Sequence, residues 1–132
     1  MLLAGFSFFV VAGCDPIQVD KATIDKVESP AYDVDALLIT TDAGATTSVG
    51  YHLVLVKRGE SGENADLEDS IITADRLNNP GGIVVKWKGK DIDVMWPNSQ
   101  IIRAKEHEVV GGQTFRIHFT FDKDQKDLQL KP

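Results

Sequence analysis

Cysteine, basic charge, aromatic residues and long apolar runs are all scarce in this sequence. A single cysteine among 132 residues, Cys14, excludes an internal disulfide framework. Only 14 Lys and Arg stand against 20 Asp and Glu, a formal net charge of −6. A nucleic-acid backbone would repel such a domain, and no polybasic run is present to hold it on anionic lipid, so nucleic acid is not an expected partner. No apolar stretch reaches the roughly 20 residues that a membrane-crossing helix needs. The sequence also lacks a G-x-S-x-G elbow, a P-loop, a Rossmann fingerprint, an HExxH or CxxC motif and an EF-hand loop. These absences lead to the expectation of a non-enzyme without cofactor or bound metal.

What remains is 42% hydrophobic and 26% charged, the balance of one ordinary globular domain. The charge is unevenly spread, because residues 1–13 carry none of it. Residues 2–12 are apolar or small except for Ser7, which is the length of a signal-peptide hydrophobic region. The run ends in Val10-Val11-Ala12-Gly13-Cys14, and charge begins at once with Asp15. This segment resembles the lipobox of bacterial lipoproteins. The resemblance implies that residues 1–13 are a signal peptide, that the Cys14 thiol receives diacylglycerol, and that Cys14 becomes the new N-terminus. It further implies a membrane partner engaged through the lipid anchor, a location in the cell envelope facing the periplasm, and, from Asp15, retention at the inner membrane. The pattern departs from the family in one respect, since no Lys or Arg precedes the apolar run. Two or three acyl chains, at about 0.8 kcal/mol per buried methylene, exceed what marginal one-chain attachment provides. The competing reading is a buried free cysteine in an N-terminal strand.

Residues 15–35 hold six acids against Lys21 and Lys26, with Pro16 and Pro30 as breakers and no settled period. Residues 14–35 are assigned to the lipidated cysteine and an acidic tether, with a first strand or short helix packed on the domain as the alternative. A single β domain is expected over residues 36–132. Within it, residues 36–41 form an apolar run, Asp42-Ala43-Gly44 signals a turn, and residues 49–58 are rich in β-branched and aromatic side chains. The pair predicts a hairpin. Residues 59–69 are polar and acidic and predict a surface loop, and residues 70–77 predict a strand. Ile83, Val85 and Trp87 alternate with Val84, Lys86 and Lys88, Gly89 turns the chain, and Ile92, Val94 and Trp96 alternate with Asp93 and Met95, so a hairpin with both tryptophans on one face is expected. Residues 100–110 predict one further extended stretch. Phe115, Ile117, Phe119 and Phe121 alternate with Arg116, His118 and Thr120, which predicts a strand rather than a helix. Six to seven short strands and at most one short helix point to an all-β fold, an antiparallel sandwich or small open barrel.

Chemistry-bearing clusters are few. His52, His107 and His118 are isolated in sequence, and strand alternation places Glu106 and Glu108 opposite His107, against a shared metal ion. Glu60, Glu63, Asp66, Glu68 and Asp69 lack the spacing of a calcium loop and suit a solvated surface. The segment Asp42, Gly44, Thr46, Thr47, Ser48, leading into residues 49–56, resembles a recurrent Gly-Ala-Thr-Thr-Ser segment of small bacterial envelope proteins. Val94 to Trp96, Ile101-Ile102-Arg103-Ala104 and Phe115 to Ile117 occupy comparable later places. That resemblance implies a shared β fold and no particular activity. The hydroxyls serve either to satisfy the turn's backbone or to form a ligand-contacting tip. The function expected from the whole is a lipid-anchored envelope protein that binds or scaffolds a protein partner. The alternatives are an inhibitor or immunity protein against an envelope-acting enzyme, presenting the acids of residues 60–69, and a small hydrolase using His52 and His118.

Overall fold

The computed structural model describes residues 20–42, 49–77 and 79–131. Among the described residues ten strands form two open sheets: β1 (Asp20–Glu28), β2 (Val34–Asp42), β3 (Gly50–Lys57), β4 (Ile72–Asp75), β5 (Val84–Lys88), β6 (Asp91–Trp96), β7 (Ile101–Lys105), β8 (His107–Val110), β9 (Gln113–Phe121) and β10 (Leu128–Lys131). The six-stranded sheet has the order β1-β2-β3-β4-β7-β10 and the four-stranded sheet β5-β6-β9-β8. The all-β expectation holds, as two sheets packed in a sandwich, with no closed barrel among the described residues. The helical content among the described residues is three short 3-10 turns, at Gly62–Asn64, Leu67–Asp69 and Pro80–Gly82.

Alternation along the strands builds the core. Leu38, Leu53, Leu55, Ile72, Ala74, Ile102 and Ala104 point inward from the large sheet and meet Ile92, Val94, Trp96, Phe115 and Ile117 of the small one. Both tryptophans face this core, as their spacing suggests. Trp87 meets Phe115 edge-on at 5.7 Å and donates its indole N–H to the Val27 carbonyl at 3.0 Å; Trp96 is buried and donates to Ser99 Oγ at 3.0 Å. The β2–β3 and β5–β6 hairpins and the aromatic face of β9 all form where the period of two places them.

Four features depart from the expectation. Residues 20–28 are not part of a tether, because β1 pairs antiparallel with β2 from Asp20↔Asp42 to Glu28↔Asp35. Its side chains are almost all exposed, so the hydrogen-bond ladder rather than a buried face holds it, and its charges blunt an open edge. The sheet therefore begins sixteen residues before position 36. Residues 100–110 are two strands and not one: the chain bends at Glu106, passing from β7 in the large sheet to β8 in the small one. β10, Leu-Gln-Leu-Lys, alternates over only four residues after a polar stretch and is not among the expected strands. Finally, the sandwich is not wholly antiparallel. The chain leaves the small sheet after Trp96 and returns by way of β7 and β8, so β9 runs parallel to β6, and β10 runs parallel to β7.

The acidic segment of residues 59–69 is more than a surface loop. Every residue from Val34 to Ile39 is buried, which requires cover on the outer as well as the inner face of β2. Leu37, Ile39, Val54 and Val56 form a second, smaller core beneath Ala65 and Leu67 of this segment. Gly62 lies so close that an added Cβ would sit 2.1 Å from Thr23 Oγ1 and 3.3 Å from Ile39 Cδ1. Ser61 and Asp66 accept from the N–H groups of Glu63 and Glu68, capping both 3-10 turns, and Lys21 Nζ reaches the Ala65 carbonyl at 3.2 Å. The result is a plug pinned to the sheet with its acids turned to water.

Candidate functional site

Of the residues singled out in the sequence, Asp42 is the exposed last residue of β2, opposite Asp20 in the ladder. Gly44, Thr46, Thr47 and Ser48 lie outside the described residues, as do Cys14 and Asp15. The base of that hairpin carries a polar patch that sequence reading treated as isolated residues. Thr41, Gly50, His52, Thr73 and Asp75 come together there from β2, β3 and β4. His52 Nε2 lies 3.2 Å from Thr41 Oγ1 and its Nδ1 lies 3.3 Å from Thr73 Oγ1. A Cβ at Gly50 would approach Thr41 Oγ1 to 2.7 Å and His52 Nε2 to 3.2 Å, so glycine is what lets the imidazole lie across the strand. Burial holds the His52 pKa below its ordinary value, opposed by nearby Asp75 and reinforced by the positive charge of Lys21. An imidazole bridging two hydroxyls is half of a nucleophile–base arrangement, but both ring nitrogens go to threonines rather than to an orienting carboxylate.

His118 occupies the outer face of the small sheet. Its Nε2 lies 3.1 Å from Asp91 Oδ1, and Arg116 Nε lies 3.0 Å from the same oxygen. The His118 hydrogen bond, followed by that from Arg116, keeps the Asp91 carboxyl below the usual range. His52 and His118 thus stand on different sheets, His52 in the large one and His118 in the small one, with separate partners. Glu108 is drawn to Lys105 Nζ at 3.3 Å, while His107 is exposed. Among the described residues no three His, Cys, Asp or Glu side chains gather as a metal-ligand set.

No protein-family model matches the chain, and neither the curated proteins nor the solved structures contain a match.

Two hollows flank the end of β3 farthest from the hairpin. The larger, about 650 Å³, is lined by Tyr32, Asp33, Lys57, Arg58, Val110 and Gln113 among others. Arg58 commands it. The guanidinium donates to the carbonyls of Ser29 and Tyr32, and approaches Asp33 Oδ1 and Asp35 Oδ1 at 3.5 Å each. Asp35 is buried, and its other oxygen accepts the Gly59 N–H at 3.1 Å. With its donors committed in this way, Arg58 ties the β1–β2 connection to the end of β3 and has little left for a ligand. The second hollow, about 330 Å³, runs between β3, β8 and the acidic plug. Sequence reading missed it, since nothing in residues 54–57 signals which strand lies beside them.

Proposed function

We propose that this chain is a lipid-anchored bacterial envelope protein whose β-sandwich serves as a binding or scaffolding module on the periplasmic side of the membrane. The observation that carries the proposal is the apolar run of residues 2–12 ending in Val-Ala-Gly-Cys14, the one cysteine of the chain. Diacylation of Cys14 accounts both for that cysteine and for the charge-free beginning, and Asp15 points the anchored protein to the inner membrane. A binding role suits a rigid sandwich whose catalytic candidates stand apart, each engaged by its own neighbours.

A second reading, an inhibitor or immunity partner for an envelope-acting enzyme, draws support from the pinned plug. Glu60, Glu63, Asp66, Glu68 and Asp69 are all exposed on a segment anchored by Lys21, Ser61 and the small outer core. Acids held in place in this way complement a basic target without further ordering cost. Mass spectrometry of membrane-extracted protein tests the anchor. A mature N-terminal Cys14 bearing diacylglycerol is expected; an unmodified Cys14 or a retained Met1 overturns the proposal.

A further inference from the structure

The end of β3 presents an unfinished sheet edge. β4 pairs with β3 only from Gly50↔Asp75 to Leu53↔Ile72, so among the described residues Val54, Leu55, Val56 and Lys57 are paired with β2 on one side and with no strand on the other, where β8 stands across a groove. The direction of the peptide groups follows from two hydrogen bonds. The Leu53 carbonyl accepts from Ile71 N–H at 2.8 Å on the β4 side, whereas the Arg58 N–H points the other way, to the Asp33 carbonyl at 2.9 Å. Peptide groups alternate with a period of two along a strand, so the N–H and C=O of Leu55 and the N–H of Lys57 point off the unpaired edge. The Lys57 carbonyl is already taken by Glu60 N–H at 3.1 Å.

The 330 Å³ groove lies along this edge. One wall is the plug, with Glu60, Asp66 and Asp69; the other is β8, the border strand of the small sheet, with Glu108 and Val109. Glu108 is offset by Lys105, which leaves the three plug acids facing Lys57 and gives the groove a net negative charge. Val109, 62% exposed, adds an uncovered apolar contact at the rim.

We infer that this groove binds an extended basic peptide segment, which adds as a short strand to the β3 edge at Leu55. Main-chain hydrogen bonds to Leu55 and Lys57 supply affinity, and alternate Lys or Arg side chains reach Glu60, Asp66 and Asp69 while the intervening residue rests on Val109. The inference rests on the binding-module reading and names the chemistry of its partner.

The test titrates the full chain with a fluorescein-labelled nine-residue peptide of alternating Lys and Val, followed by anisotropy at low salt. Two further peptides carry N-methyl groups on alternate amides, one in each phase, which removes the donors facing one edge. The expected results are binding that at least one N-methylated peptide loses tenfold or more, a similar loss in the Asp66→Asn, Asp69→Asn double variant, and slowed hydrogen exchange at the Leu55 and Lys57 amides. Asn at position 66 retains the capping oxygen, so the plug stays folded. Equal binding of all three peptides, or binding without protection of the Leu55 amide, overturns strand addition, and absence of binding overturns the groove as a peptide site. The broader reading is judged apart from this. If an envelope partner is pulled down equally by the wild type and the double variant, the binding module stands and the groove proposal fails.

Discussion

Replacing Arg58 by Met should expose how much of the sandwich depends on one ion pair. Asp35 is the buried acid of β2, its side chain 1% exposed, and Oδ1 has no hydrogen bond; its charge is met by Arg58 Nε at 3.5 Å and by the Gly59 N–H on Oδ2. Methionine keeps the apolar stem of the side chain but removes the charge, the links to the Ser29 and Tyr32 carbonyls and the contact with Asp33. Removing one partner of a buried pair costs about 3–5 kcal/mol, because the other charge stays behind uncompensated. Arg58 itself is 39% exposed and Gly59 still donates, so the lower end, about 3 kcal/mol, is the expected loss. That is a large share of the roughly 5–15 kcal/mol available to a domain. With a urea slope of about 1.5 kcal/mol/M, the unfolding midpoint falls by about 2 M, read by tryptophan fluorescence of Trp87 and Trp96. Adding Asp35→Asn removes the stranded charge while keeping an acceptor for Gly59 N–H, and should recover about 2 kcal/mol. A loss below about 1 kcal/mol in the single variant, or no recovery in the double variant, would show that the pair does not hold the β1–β2 connection in place.

Gly62→Ala should destabilise the chain by about 1 kcal/mol through overpacking against Thr23, and Thr23→Ala in the same chain should relieve it. Equal stability of Gly62→Ala and wild type in urea would mean the plug is not seated on β1 and β2. His52 makes stability depend on pH: its folded pKa lies below the unfolded value of about 6.5, so its contribution is full above that pH and falls as pH drops toward the folded pKa. Wild-type stability should therefore fall more between pH 7.5 and 5 than that of His52→Gln, and parallel declines in the two proteins would refute a half-buried imidazole with a lowered pKa.

The parts of the fold legible in the sequence are those with a strong local period. Ile83, Val85 and Trp87, then Ile92, Val94 and Trp96, and the aromatic side of β9 declared both their strands and their inward faces. β1 was hidden because its side chains are charged and exposed, and only its backbone ladder makes it a strand. The division at Glu106 was hidden because one residue suffices to pass the chain between sheets. The polar patch around His52 needed β2, β3 and β4 in register before Thr41 and Thr73 could flank one ring. For the hairpin tip, only Asp42 falls among the described residues.

The sequence by itself determined the strand period, the all-β class and a single cysteine placed at the end of an apolar run. Those properties reside in the side chains and can be read one segment at a time. Tertiary structure decided which edges are paired, why the acidic segment is seated over Leu37 and Ile39, and that the β3 edge ends beside a groove. The physical reason is that nearly every residue carries the same N–H and C=O, so a strand's choice of neighbour depends on topology and packing brought together from distant parts of the chain.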